Sequence, residues 1–228
     1  MKDFAFFQVL SIAAVASYFI PALLVLLKAL WRDPFFLLFA GYWAFGGLIN
    51  IADVIPGVSR QTLRLVSISY NMLDIPIILA LLYYTSTSIM VKRYTATALY
   101  AVIIFEVLAT LLNGFNYETI KYTLGAGITI VLTVIIWEII RYLQKIEHSN
   151  RQTAKIFIYA ALLFEYGTFI VIYIFDYIIV NDSNKDSYLI YYASTLVAIL
   201  IASCGYLLIN MNKKNDQSYF HANSNLDW

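Results

Sequence analysis

Asp74, Glu106 and Glu165 each lie within a long apolar run of the chain, far from any lysine or arginine. A carboxyl group at bilayer depth costs a few kcal/mol on insertion scales, and such groups face a bundle interior or a wet cavity. With no built-in cationic partner, each must either hold a proton or accept a cation or a ligand amine. Asp53 and Asp176 fall near the outer ends of such runs and extend the set. The chemistry these residues suggest is the binding of protons, small cations or cationic ligands.

Each acid has polar company on its own helical face, because residues three or four apart are neighbours there. Tyr70 and Asn71 precede Asp74 by four and three. Thr110 follows Glu106 by four, and Thr168 follows Glu165 by three. Asp176 follows Glu165 by eleven, close to three turns, and Asn50 precedes Asp53 by three. Weaker stripes pair Gln8 with Ser11, Thr129 with Thr133 and Tyr191 with Thr195. The candidate ion- or ligand-binding residues are therefore Asp74, Glu106, Glu165, Asn71, Tyr70, Thr168, Asp53 and Asp176. The competing reading is structural, since a protonated acid can bond a neighbouring helix as glue. Glu138, three residues before Arg141, reads as an ordinary surface ion pair.

Other chemistries lack their residues. His148 and His221 both lie in polar stretches, so no imidazole cluster can hold zinc or iron within the apolar runs. Cys204 is the only cysteine, which excludes an intrachain disulfide. There is no phosphate-binding glycine loop and no serine in a nucleophile-elbow setting. The last apolar run has no lysine for a Schiff base. No cofactor and no metal are expected, and a net charge of +1 gives no electrostatic case for nucleic acid.

The elements that would position the acids are helices. Of 228 residues, 61% are hydrophobic and 13% charged, against roughly 25% charged in soluble domains. About 20 apolar residues cross the hydrocarbon. Seven stretches qualify, near 4–27, 35–55, 66–90, 97–115, 122–140, 156–180 and 188–211. The first continues too far past Ala14-Val15-Ala16 for a cleaved signal core and reads as a retained helix. Arg32-Asp33-Pro34, Pro56-Gly57, Lys92-Arg93, Asn113-Gly114 and Asn181–Asn184 separate the runs, and residues 141–155 form the longest, basic loop. Pro21 and Pro76 should kink their spans. Residues 1–211 form one membrane domain, and 212–228 read as a disordered polar tail.

Lysine and arginine set the expected orientation. Five lie on the side of the N-terminus and ten on the other, which places the N-terminus outside and the C-terminus in the cytoplasm. Tyr18, Tyr84, Tyr94, Tyr122, Tyr142 and Tyr188 sit near span ends and read as interfacial anchors.

The expected fold is an all-α, seven-helix polytopic membrane protein of the plasma membrane, with a bacterial inner membrane favoured. The expected function is a small proton- or cation-linked transporter with a mid-membrane carboxylate cluster. The alternatives are a sensor that binds a small ligand, with the loop 141–155 contacting a cytoplasmic partner, and a membrane enzyme of lipid or isoprenoid metabolism.

Overall fold

A computed structural model describes residues 2–55, 57–145, 148–175 and 184–209, apart from the side chains of 2–5, 53, 54, 60, 118 and 184–186. Its elements are α1 (Lys2–Ser17), α2 (Ile20–Leu27), a 3-10 turn (Leu30–Arg32), α3 (Pro34–Val54), α4 (Arg60–Thr85), α5 (Ile89–Asn113), α6 (Tyr117–Leu143), α7 (Asn150–Tyr173) and α8 (Asn184–Leu208). The protein is helical, with no strand among the described residues. Seven helical segments are long and apolar enough to cross a membrane, the first of them comprising α1 and α2 together.

Local sequence explains where the helices begin. Ser59, Ser88, Asn116 and Ser149 have extended backbones, and each side chain accepts the N–H of the residue three ahead. Such caps satisfy donors that a helix leaves without an internal partner. Ser149 and Gln152 complete a reciprocal capping box. Asp33 caps α3 by accepting from Phe35 N at 3.1 Å. Gly114 ends α5 at φ +80°, a conformation that disfavours any side chain.

These caps move several boundaries. The break between the third and fourth spans falls at Ser86-Thr87-Ser88, and Lys92 and Arg93 lie inside the start of α5. The fourth span, expected over 97–115, is consequently a full 25-residue helix. Arg141 lies in α6, while Arg151 and Lys155 lie in α7, so helix takes up both ends of the expected basic loop 141–155. The two internal prolines also differ. Pro76 stays within a continuous α4, whereas the first span breaks at Tyr18 and Phe19 just ahead of Pro21, whose ring nitrogen cannot bond the Ser17 carbonyl. The tail 212–228 and Asp176 lie outside the described residues.

Sequential helices pack side by side, and α8 returns to close the bundle against α1 and α2. Helix α5 packs chiefly on α4 and α6, and its other faces expose Ile104, Leu108, Leu111 and Leu112. Such residues suit lipid tails. Side chains of α3 and α7 meet across the centre, where Phe35 and Phe39 lie edge-on to Tyr159. Phe36, Phe39 and Tyr206 are fully buried in this half.

Candidate ligand-binding site

In the other half the packing opens. A cavity of about 480 Å³ is lined by parts of α3, α4, α6, α7 and α8. Ser67, Tyr117 and Ser187 on its wall lie near the starts of α4, α6 and α8, and Tyr173 ends α7. All belong to the end of the bundle where α1 begins, so the cavity reaches toward that face. Asp74 is at its inner limit, fourteen residues into α4. At about 1.5 Å per residue this is ~20 Å along the helix.

Asp74 is buried, and tyrosines engage both its oxygens. Tyr42 Oη from α3 lies 2.9 Å from Oδ1, and Tyr166 from α7 donates to Oδ2 at 2.8 Å. The two tyrosyl oxygens are themselves 2.9 Å apart. The helix register makes this possible. Tyr42 and Trp43 are adjacent on α3, Glu165 and Tyr166 on α7, and the second pairing runs beside the first: Trp43 Nε1 donates to Glu165 Oε2 at 3.2 Å. Glu165 is buried like Trp43 and within electrostatic reach of Asp74.

A second tier lies nearer the mouth. Tyr191 of α8 donates to Asn50 Oδ1 at 3.3 Å, and Tyr18, at the break in the first span, lies 3.1 Å from Tyr191 Oη. Asn50 is held by donating to Gly46 O at 2.8 Å. Tyr70 lines the cavity with its hydroxyl against Gly46, where an added Cβ would stand 3.2 Å away. Asn71 also lines it and donates to Ser67 Oγ at 3.5 Å. Phe169 stacks on Tyr191 with ring centroids 5.6 Å apart.

No family model, curated protein or solved structure matches this chain.

Of the residues expected from sequence, Asp74, Glu165, Tyr70 and Asn71 come together. Glu106 does not join them. It is buried on the face of α5 that meets α4 and α6, has no hydrogen-bond partner among the described residues, and does not line the cavity. Thr110, one turn on, has a buried hydroxyl without a partner among the described residues. Thr168 donates to Phe164 O of its own helix at 2.9 Å and does not reach the site. Asp53 lies in α3, but its side chain, like all of Asp176, is outside the described residues. Glu138 is no surface ion pair: it is buried and accepts a hydrogen bond from Ser86 Oγ. Among the described residues no group of three or more His, Cys, Asp or Glu side chains is placed to hold a metal ion.

Sequence reasoning missed Tyr42, Trp43 and Tyr166, which hold the acids, and it read Tyr18 as an interfacial anchor. Tyr18 is buried at 1% exposure, whereas Tyr84 and Tyr122 are exposed as anchors should be. The available signal was adjacency: Tyr166 follows Glu165 directly, and Tyr42-Trp43 is the one polar-capable aromatic pair within its span.

Proposed function

We propose that the protein is a small carrier of protons or cations, with Asp74 as the central binding group and Glu165 beside it. The observation that carries this reading is the placement of Asp74 at the inner limit of a cavity whose described lining extends toward one face. Phe36, Phe39 and Tyr206 fill the other half. A midplane acid accessible from one side is what a single state of an alternating-access carrier requires. The break at Tyr18 and Phe19 adds support, because carriers build midplane sites from interrupted helices. Tyr18 brings that interruption into the site through Tyr191 and Thr195.

The proposed setting is a plasma membrane, with a bacterial inner membrane favoured, the N-terminus outside and the C-terminus cytoplasmic. The distribution of lysine and arginine supports that orientation. The cavity then faces outward.

A sensor is the second reading. It draws on the dense aromatic packing between cavity and opposite face, which could report ligand occupancy without passing the ligand through. The test is uptake into proteoliposomes carrying the full chain, driven by a pH gradient, alongside Asp74→Asn. Gradient-driven uptake that disappears with Asp74→Asn supports the carrier. Saturable binding with no flux sinks the carrier and leaves the sensor.

A further inference from the structure

The three short contacts among Asp74, Tyr42 and Tyr166 set a proton count. They are 2.9, 2.8 and 2.9 Å long and form a closed ring of oxygens. Each is a normal O–H···O length, and each needs one hydrogen between its oxygens. The two tyrosines supply two. The third can come only from the carboxyl group, since each hydroxyl carries a single hydrogen. Two circular arrangements satisfy every contact: a protonated Asp74 donates through one carboxyl oxygen to the nearer tyrosine, that tyrosine donates to the other tyrosine, and the second tyrosine donates back to the other carboxyl oxygen. With an ionised Asp74, one of the three contacts would have no hydrogen between its oxygens.

The cavity beyond the ring limits what could replace that proton. Its wall carries the rings of Tyr70, Phe169, Tyr188 and Tyr191, and the amides of Asn50 and Asn71. Among the described residues, lysine and arginine are absent from the lining, and Asp74 is its single carboxyl group. A dehydrated metal cation needs several oxygen ligands at once. Both oxygens of Asp74 are already engaged by tyrosines, Asn50 Oδ1 already accepts from Tyr191, and much of the remaining wall is rings and aliphatic side chains such as Ile49, Leu124 and Ile128. Aromatic and aliphatic side chains lining a cavity with a single acid suit an organic ammonium with an apolar body, which gains apolar contact and cation–π attraction as well as charge pairing. A volume of about 480 Å³ lies within the range of small-molecule sites.

We propose that the cavity binds a monovalent organic ammonium with an apolar body, and that its arrival expels the ring proton from Asp74. This deepens the carrier reading above and rests on it. The balance is one for one: the ammonium enters with one positive charge, the Asp74 O–H bond breaks heterolytically, the carboxylate keeps the electron pair, and one proton leaves through the cavity. The other groups around Asp74 are Tyr42 from α3, Glu165 and Tyr166 from α7, Tyr191 from α8, Tyr18 from the broken first span and Tyr70 on α4 itself. From α6, Tyr117 lines the cavity, and Glu106 of α5 does not. Among the described residues, Glu165 is thus the one other acid that could supply the proton.

Calorimetric titration of the full chain in nanodiscs tests this, with phenethylammonium as probe and sodium chloride as control, in two buffers of different ionisation enthalpy. Phenethylammonium should bind with release of about one proton, and sodium should not. Asp74→Asn should weaken binding at least ~30-fold, the low end for losing one partner of a buried charge pair, and abolish release. The carboxamide keeps an acceptor oxygen and puts a donor nitrogen where the acid has its hydroxyl, so the ring and the unfolding temperature should survive. Tyr42→Phe opens the ring without removing the acid; binding should persist and release at the same pH should fall well below one. Release that survives Asp74→Asn but vanishes with Glu165→Gln overturns the ring assignment, as does binding without release. Failure of the ammonium to bind, with Asp74-dependent proton or sodium uptake intact, overturns the ligand class and spares the carrier. Absence of binding and flux for every cation overturns both.

Discussion

Trp43 and Glu165 join α3 to α7 through an indole N–H donated to a buried carboxyl oxygen at 3.2 Å, one residue along each helix from the Tyr42–Tyr166 contact. Two adjacent residues on one helix thus meet two on the other, and the acids are held by aromatic donors instead of cations. Trp43→Phe keeps an aromatic ring and removes the donor. A buried acceptor left without its bond costs about 1–3 kcal/mol. Thermal unfolding in detergent should show that loss. The further substitution Glu165→Leu should recover part of it, because no polar group then remains unpaired. An unchanged unfolding temperature for Trp43→Phe would mean the indole bond contributes nothing.

Much of this frame is legible in the sequence. The seven apolar runs are long, and nothing else in a chain this poor in charge competes with membrane helices. Asp74 and Glu165 stand out because a lone acid in an apolar run is costly to insert and so is seldom incidental. Sequence supplies depth along a helix but not the direction in which a side chain faces, and this is why Glu106 grouped with them. It faces α4 and α6, away from the meeting of α3 and α7. Tyrosine is ambiguous for a chemical reason. With 19 in the chain, the same phenol serves as an anchor in Tyr84 and as a buried donor in Tyr166. The boundary at Ser86-Thr87-Ser88 was hidden because capping hydroxyls are less conspicuous than the charges of Lys92 and Arg93.

Ser86 and Glu138 give a second prediction, at the opposite end of the bundle from the cavity. Ser86 Oγ donates to Glu138 Oε1, and both residues are buried. Ser86→Ala should therefore destabilise by about 1–3 kcal/mol, the range for stranding a buried acceptor. Arg141, which a surface pairing would require, should matter far less: Arg141→Ala should stay within about 0.5 kcal/mol. Urea or thermal unfolding of the two variants in one detergent decides between them, and equal losses would restore the surface-pair reading.

Close approach of α7 and α8 depends on Gly205. A Cβ there would stand 2.7 Å from Ala154 O, a backbone atom that cannot swing aside. Gly205→Ala should force the two helices apart and lower the unfolding temperature by several degrees. Gly41 is the control, since a Cβ at that position meets nothing within 4 Å. Gly41→Ala should be neutral or stabilising by up to about 1 kcal/mol, the gain of alanine over glycine in a helix. A fluorescence thermal-shift assay would separate the two directions.

Asp33 performs two tasks whose costs can be separated. It caps α3 and also accepts from Arg151 of α7, with Nη2 2.7 Å from Oδ2. The arginine is about half exposed, so the ion pair contributes little, within about 0–1 kcal/mol, and should weaken with salt. Losing a cap costs typically ~1 kcal/mol. Asp33→Ala should thus destabilise more than Arg151→Ala, and Asp33→Asn should match Arg151→Ala, because an amide oxygen still caps. Unfolding measured at low and high salt should shrink the cost of Arg151→Ala and leave the capping cost of Asp33→Ala in place.

The break in the first span offers the sharpest link between fold and function. Pro21 leaves the Ser17 carbonyl without its helical partner, and the chain turns at Tyr18 and Phe19, setting Tyr18 Oη 3.1 Å from Tyr191 Oη. Gly47 admits this turn, since a Cβ there would lie 2.7 Å from Tyr18 Cβ. Pro21→Ala restores the missing donor and lets a straight helix compete with the break. The chain should then become as stable or more so, by up to the ~3 kcal/mol that separates alanine from proline inside a helix. Yet Tyr18 should leave the site, and the Asp74-dependent cation uptake that the carrier proposal predicts should fall. Stability and uptake moving in opposite directions is the expected outcome, read from unfolding temperature and proteoliposome flux on the same preparation. If uptake is unchanged while Tyr18→Phe is equally silent, the broken span is a packing feature with no part in the site.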